Sequence, residues 1–278
     1  MNPNLPELPE IVRRALSEDI GSGDVTTLFT VPESAVGIGR IVAKSAGVIA
    51  GLPVAAEVFR QVDAALALTL PVTEGDFVDA GTTLCEIRGS ARSILTGERV
   101  ALNFLQRLSG IATKTAQFVS LVEGTEARIV DTRKTTPGLR LLEKYAVRMG
   151  GGYNHRFGLY DAILIKDNHI QASGGITNAV QQAFALAPHT MTVTVECDTL
   201  AQVQEAIDAA ADIILLDNMT LDELRQAVSL IGKEAATEAS GGVNEDTVAD
   251  IAATGISIIS VGALTHSAIA LDISLDLV

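Results

Sequence analysis

Between residues 131 and 168 the chain gathers side chains that could grip an anion. Arg133, Lys134, Arg140, Lys144, Arg148, Arg156 and Lys166, with His155 among them, face only Asp131, Glu143, Asp161 and Asp167. The whole protein carries a formal charge of −14. A basic island in so acidic a chain points to an anionic small molecule held in a cleft. Arginine forks bind carboxylate or phosphate bidentately, while lysine acts as a mobile point charge. Arg140, Lys144 and Arg148 recur every fourth residue and read instead as a solvated stripe on a helix. Arg133, Lys134, Arg156 and Lys166 remain as the cleft cations.

Other chemically capable residues lie further along. Glu196 and Asp217 each end an apolar run, where they could hold sugar hydroxyls or a hydrated Mg²⁺, or simply act as counter-ions to Lys134 and Lys166. Ser240-Gly241-Gly242 and Val261-Gly262-Ala263 are two glycine turns of the kind that lets backbone N–H groups approach one phosphate. His155 reads as a hydrogen-bond donor, because no other histidine has ligand spacing to it. Cys197, beside Glu196, has no evident base and reads as a packed small residue. Arg99, in the first turn of an expected helix, opposes the helix dipole and could be a solvated side chain or a ligand.

The elements that must position these groups follow from periodicity. Apolar strand-like runs at 127–132, 161–166, 191–196, 212–217, 234–240 and 257–261 alternate with helical patterns at 139–149, 177–187, 200–210, 221–231 and 245–253. Such alternation predicts βαβ units and a parallel sheet. Each run ends in a functional group, and a barrel brings all strand ends to one mouth, whereas an open sheet strings them along a line. The expectation is therefore an α/β barrel, incomplete because six strands are clear where a full barrel has eight. Residues 93–122 read as one long helix, with shorter ones at 9–17 and 52–65. The stretch VTEGDFVDAGTTLCEIRG, residues 72–89, resembles the hammerhead sheet of biotinyl and lipoyl carrier domains, but no lysine lies between Val72 and Arg92 to carry a prosthetic group. It reads as a structural sheet.

Composition narrows the class. With 278 residues, 47% hydrophobic and 19% charged, the chain suits a globular protein with a large core. The negative charge argues against nucleic acid as a partner. Two distant cysteines make no disulfide framework. The start, MNPNLPELPEIVRRALSEDIG, lacks a signal pattern, and no stretch reaches the roughly 18 apolar residues of a membrane span. A cytoplasmic setting without membrane partners is expected.

Longer motifs carry a resemblance. TRKTTPGLRLLEKYAVRMGGGYNHRFGLYDAILIKDNHI (132–170), GERVALNFLQRLSGIAT (97–113), LLDNM (215–219), EASGGV (238–243), ISVGALTHS (259–267) and EDIGSGDVTT (18–27) together resemble the quinolinate phosphoribosyltransferase family over nearly the whole chain. The resemblance implies an N-terminal α/β sandwich, residues 1–100 joined by the tail 267–278. It is followed by an open, about seven-stranded α/β barrel, residues 101–266, in a homodimer or larger assembly. It implies transfer of a phosphoribosyl group from 5-phosphoribosyl-1-diphosphate to quinolinate with Mg²⁺, giving nicotinate mononucleotide, diphosphate and CO₂. Arg133, Lys134, His155 and Arg156, with Thr132, would then bind the pyridine dicarboxylate, joined by Arg99 of a neighbouring subunit. Lys134 and Lys166 would face the diphosphate, Glu196 and Asp217 the ribose and, through water, the metal. The turns at Ser240-Gly241-Gly242 and Val261-Gly262-Ala263 would take the 5-phosphate. Lys134, Lys166, Glu196 and Asp217 would be the catalytic set. Thr194 and Ser257 depart from the family, which often has acids there.

Rival readings are a Schiff-base aldolase using Lys166, a molybdenum-locus paralogue of the same family with another acceptor, and a carrier module on the hammerhead segment. The aldolase reading leaves the arginine cluster unexplained, and the carrier reading lacks its lysine.

Overall fold

The computed structural model describes residues 6–278. They form two compact units: one comprises the described residues up to Ala116 with Thr136–Gly151 and Ser267–Val278, the other Gln117–Thr135 and Gly152–His266.

In the first unit an antiparallel sheet is built from β1 (Val36–Ala43), β3 (Ala67–Thr69), β5 (Thr83–Ser90) and the C-terminal β12 (Ile273–Leu277), in the order β12-β1-β5-β3. A second antiparallel pair joins β2 (Gly47–Val48) to β4 (Phe77–Val78). Helices α1 (Leu8–Ile20), α2 (Val25–Thr30), α3 (Leu52–Val62), α4 (Ala91–Leu121, as far as Ala116) and α5 (Arg140–Met149) complete it. The apolar face read from the spacing of α4 is buried at Ala101, Leu105, Leu108, Ile111 and Ala112. On the same helix Thr113 Oγ1 accepts from the Val48 amide at 2.9 Å and Ser109 Oγ from the Ala50 amide at 3.1 Å, so side-chain hydroxyls complete the hydrogen bonds of an edge. Glu74 reaches across to cap α3, accepting from the amides of Gly51 at 3.0 Å and Leu52 at 2.6 Å. Burial pushes that carboxyl upward.

α5 corrects one expectation. Lys144 is fully buried, as is Glu143, so the four-residue repeat is not a solvated stripe. The helix turns its Glu143 side inward, where the carboxylate receives Arg107 at 2.9 Å and the Thr136 amide at 3.0 Å. A lysine one position on is drawn into the same covered region, so the spacing showed a shared face but not which side was covered.

The second unit is the parallel α/β part. Strands β6 (Arg128–Val130), β7 (Ile163–Ile165), β8 (Val193–Cys197), β9 (Ile213–Asp217), β10 (Ala236–Ser240) and β11 (Ile258–Ser260) pair in the order β6-β11-β10-β9-β8-β7, all parallel. A seventh position is reduced to an isolated parallel bridge between Val130 and Tyr153, which explains why the sequence showed six runs. Helices α6 (Asp167–Ser173), α7 (Ile176–Leu186), α8 (Leu200–Asp208), α9 (Leu221–Ile231), α10 (Val248–Ala252) and α11 (Ala263–His266) connect or follow them. Starts of α8 and α9 are set by reciprocal caps, Thr199 with Gln202 and Thr220 with Glu223. The buried interior includes Ile129, Val193, Val195, Ile214, Leu216 and Ile259. No helix of the described residues is long and apolar enough to cross a membrane.

Candidate active site

One cavity of about 780 Å³ is lined by residues from the C-terminal ends of all six parallel strands. Thr132, Arg133 and Lys134 follow β6, and Lys166 follows β7; these strands are the two edges of the sheet, yet both reach the cavity. The sheet therefore curls around its ends in barrel fashion, as the placement of functional groups required.

The cationic wall starts at the buried Asp131. Its carboxylate receives the Asn154 side chain at 2.5 Å and the His155 amide at 2.9 Å, tying the β6 end to the loop that carries Arg156. Arg156 donates to the Ala162 carbonyl at 3.1 Å. Burial, and then the neighbouring Arg133 charge, hold its guanidinium below the ordinary arginine range. Two neighbouring cations in a partly desolvated place can receive a multiply charged anion. Lys134 is held by its backbone: its amide donates to Thr132 Oγ1 at 3.0 Å and its carbonyl accepts from Thr265 Oγ1 at 2.8 Å. The Lys134 stem packs on Gly262, where an added Cβ would lie 3.0 Å from its Cδ.

The opposite wall mixes signs. Lys166 pairs with Glu196. Asp217, on the strand next to Glu196, accepts from Asn218 Nδ2 at 2.6 Å. Asn218 has φ 54, and its amide donates to the Ser240 carbonyl at 2.9 Å. That close approach explains Gly241, at φ +90, where a Cβ would fall 2.2 Å from Asn218 Oδ1. Gly242 and Gly262 open the rest of the rim.

Thus Thr132, Arg133, Lys134, His155, Arg156, Lys166, Glu196, Asp217, Ser240, Gly241, Gly242, Val261, Gly262 and Ala263 share one cavity. Arg99 does not line it; it is exposed on α4 in the first unit. Thr194 is buried within β8 and Ser257 bonds Thr237, and neither lines the cavity. Cys197 is buried, and burial pushes its thiol up to about 12, consistent with packing. The immediate neighbour of Lys166 is a carboxylate, unlike the apolar or cationic setting that activates a Schiff-base lysine.

Glu238 and His266 also line the cavity, and neither was singled out from the sequence. Glu238 had a legible signal: an acid inside an apolar parallel strand, where both faces are normally covered. Among the described residues no three His, Cys, Asp or Glu side chains converge on a metal position. Glu196 and Asp217, on adjacent strands, could hold a hydrated cation that takes its other ligands from water.

Comparison with known proteins finds relatives over nearly the whole chain. Residues 24–109 match the family described as "Quinolinate phosphoribosyl transferase, N-terminal domain" and residues 111–276 the one described as "Quinolinate phosphoribosyl transferase, C-terminal domain". A protein of Bacillus subtilis named "Probable nicotinate-nucleotide pyrophosphorylase [carboxylating]" is 46% identical over 270 residues, covering 97% of this chain and 93% of its own. A Synechocystis protein of the same name is 47% identical, covering 95% and 90%. The crystal structure of NadC from Streptococcus pyogenes superposes with a TM-score of 0.95 at 46% identity, over 98% of this chain and 96% of that one. The nicotinate-nucleotide pyrophosphorylase of Ehrlichia chaffeensis gives 0.94 at 39% identity over the full length of both.

Proposed function

Because the chain belongs to the quinolinate phosphoribosyltransferase family, we infer that it transfers a phosphoribosyl group from 5-phosphoribosyl-1-diphosphate to quinolinate. The products are nicotinate mononucleotide, CO₂ and diphosphate, a step of de novo NAD biosynthesis. The observation that carries this reading is the meeting of Arg133, Lys134 and Arg156 with Glu196, Asp217 and two glycine turns around one cavity.

In this reading Arg133, Lys134 and Arg156, with Thr132 and His155, take the dicarboxylate. Lys134 and Lys166 meet the diphosphate, and Ser240-Gly241-Gly242 with Val261-Gly262-Ala263 take the 5-phosphate. Glu196 and Asp217 hold the ribose hydroxyls and, through water, Mg²⁺. The metal when bound would add positive charge against the leaving diphosphate. The lysines do the same as the C1–O bond breaks through an oxocarbenium-like state. The pyridine nitrogen forms the new bond to C1 and becomes positive. That charge stabilises the electron pair left on C2 when the adjacent carboxylate departs as CO₂, and this pair then takes a proton from water to complete the product. No protein base is required, which suits a pocket rich in cations.

A homodimer that brings Arg99 of a second copy to the dicarboxylate is part of the same proposal. It is supported by the exposure of Arg99 on α4. A cytoplasmic setting, also proposed, fits two buried cysteines that remain free thiols.

The test is incubation with quinolinate, phosphoribosyl diphosphate and Mg²⁺, following pyridine absorbance and released CO₂. Quinolinate should be consumed with equimolar CO₂, and nicotinate should not react. Robust use of nicotinate without CO₂ would favour the paralogue with another acceptor.

A further inference from the structure

Glu238 lies in the middle of β10, lines the cavity and is only 1% exposed. A carboxylate so placed needs partners, yet among the described residues its Oε1 accepts no hydrogen bond. The atom that faces this oxygen is Nε2 of His155, at 3.4 Å. On the other edge of the same ring, Nδ1 accepts the Arg156 amide at 2.7 Å. A ring nitrogen that accepts an amide hydrogen carries no proton of its own, so in the neutral ring the proton is on Nε2, the nitrogen 3.4 Å from Glu238 Oε1. A chain of groups thus runs from the β10 carboxylate through the imidazole to the backbone of Arg156.

We propose that Glu238 is a positioning residue, which holds His155 in its Nε2–H tautomer and thereby sets the backbone from which Arg156 reaches the pyridine dicarboxylate. The inference rests on the quinolinate reading for its kinetic part only. The 3.4 Å separation lies just beyond the usual N–H···O range, so a small rotation of either side chain closes it. Part of what His155 does for the dicarboxylate is then to orient Arg156. A carboxylate that orients a histidine which in turn orients a functional group is a recurrent device.

The experiment is nitrogen-15 NMR of histidine-labelled full-length protein, in which the chain's four histidines make assignment by a single His155→Gln variant direct. Wild type should show His155 as the Nε2–H tautomer. Glu238→Ala should mix the tautomers and raise KM for quinolinate about ten-fold or more, with a smaller change in kcat. Glu238→Gln, whose amide oxygen still accepts from Nε2–H, should restore both. An Nδ1–H tautomer in wild type overturns the proposal, as does an unchanged pattern in Glu238→Ala, or a glutamine variant that behaves like alanine. Should the alanine variant fail to fold, the wild-type tautomer and the glutamine variant decide. A wild type that ignores quinolinate would sink the functional reading, while the spectra would still judge the contact.

Discussion

At the scale of single residues, the cavity is built against its own electrostatic comfort. Burial and, after it, the neighbouring Arg133 charge work against the charge on Arg156. Replacing Arg133 with glutamine should therefore leave the thermal stability of the unliganded protein unchanged or higher. Turnover should respond in the opposite sense. A hydrogen bond to a charged group contributes about 1.5–3 kcal/mol, so kcat/KM for quinolinate should drop roughly 10- to 100-fold. Melting curves and initial rates on the same preparation check both halves. A large loss of stability would mean that Arg133 is a structural residue after all. Lys144 shows the limit of residue-level reading, since its spacing matched a solvated face while its side chain is buried.

At the scale of elements, two turns carry separate expectations. Gly241 combines φ +90 with a Cβ position 2.2 Å from Asn218 Oδ1. Gly241→Ala should lose on the order of 1–3 kcal/mol of stability from backbone strain. It should also raise KM for phosphoribosyl diphosphate more than KM for quinolinate. Equal effects on both substrates would detach this turn from the phosphate. In the first unit, α2 begins at Asp24, whose carboxylate caps the Thr27 amide at 3.0 Å. The Thr27 hydroxyl and amide hold that carboxyl below its usual value of 3.8. A depressed folded-state value means the stabilisation is present above the unfolded value and disappears as pH falls through the folded one. Asp24→Ala should cost about 1 kcal/mol near neutrality. Denaturant titrations at a series of pH values should show wild type and variant converging in acid, and a constant gap would refute the cap.

At the scale of the whole molecule, the proposed assembly makes its own prediction. If Arg99 serves the cavity of a second copy, Arg99→Ala and Arg133→Ala homodimers should each be nearly inactive. Mixed and re-equilibrated, they should regain activity, because a heterodimer then contains one site with both arginines intact. Activity after mixing no higher than the mean of the parents would place Arg99 in its own chain's site or in none. Much of the fold is legible in the sequence. The helix expected at 221–231 is α9, and the six expected strands all appear with ends shifted by a few residues. α2, α6 and α11 were not anticipated. They are short, with no more than seven residues each, too little for a helical period to declare itself.

Local order was determined by the sequence alone: alternating strands and helices, the glycine turns, and the functional group that ends each strand. Period and propensity act between residues a few positions apart, and a linear reading captures them. Tertiary structure alone decided that Asp131 braces the His155 loop, that Lys144 is covered, and that Glu238 meets an imidazole from a distant stretch. Those contacts depend on how strongly the sheet curls and which strand ends it brings together, and no spacing along the chain encodes that.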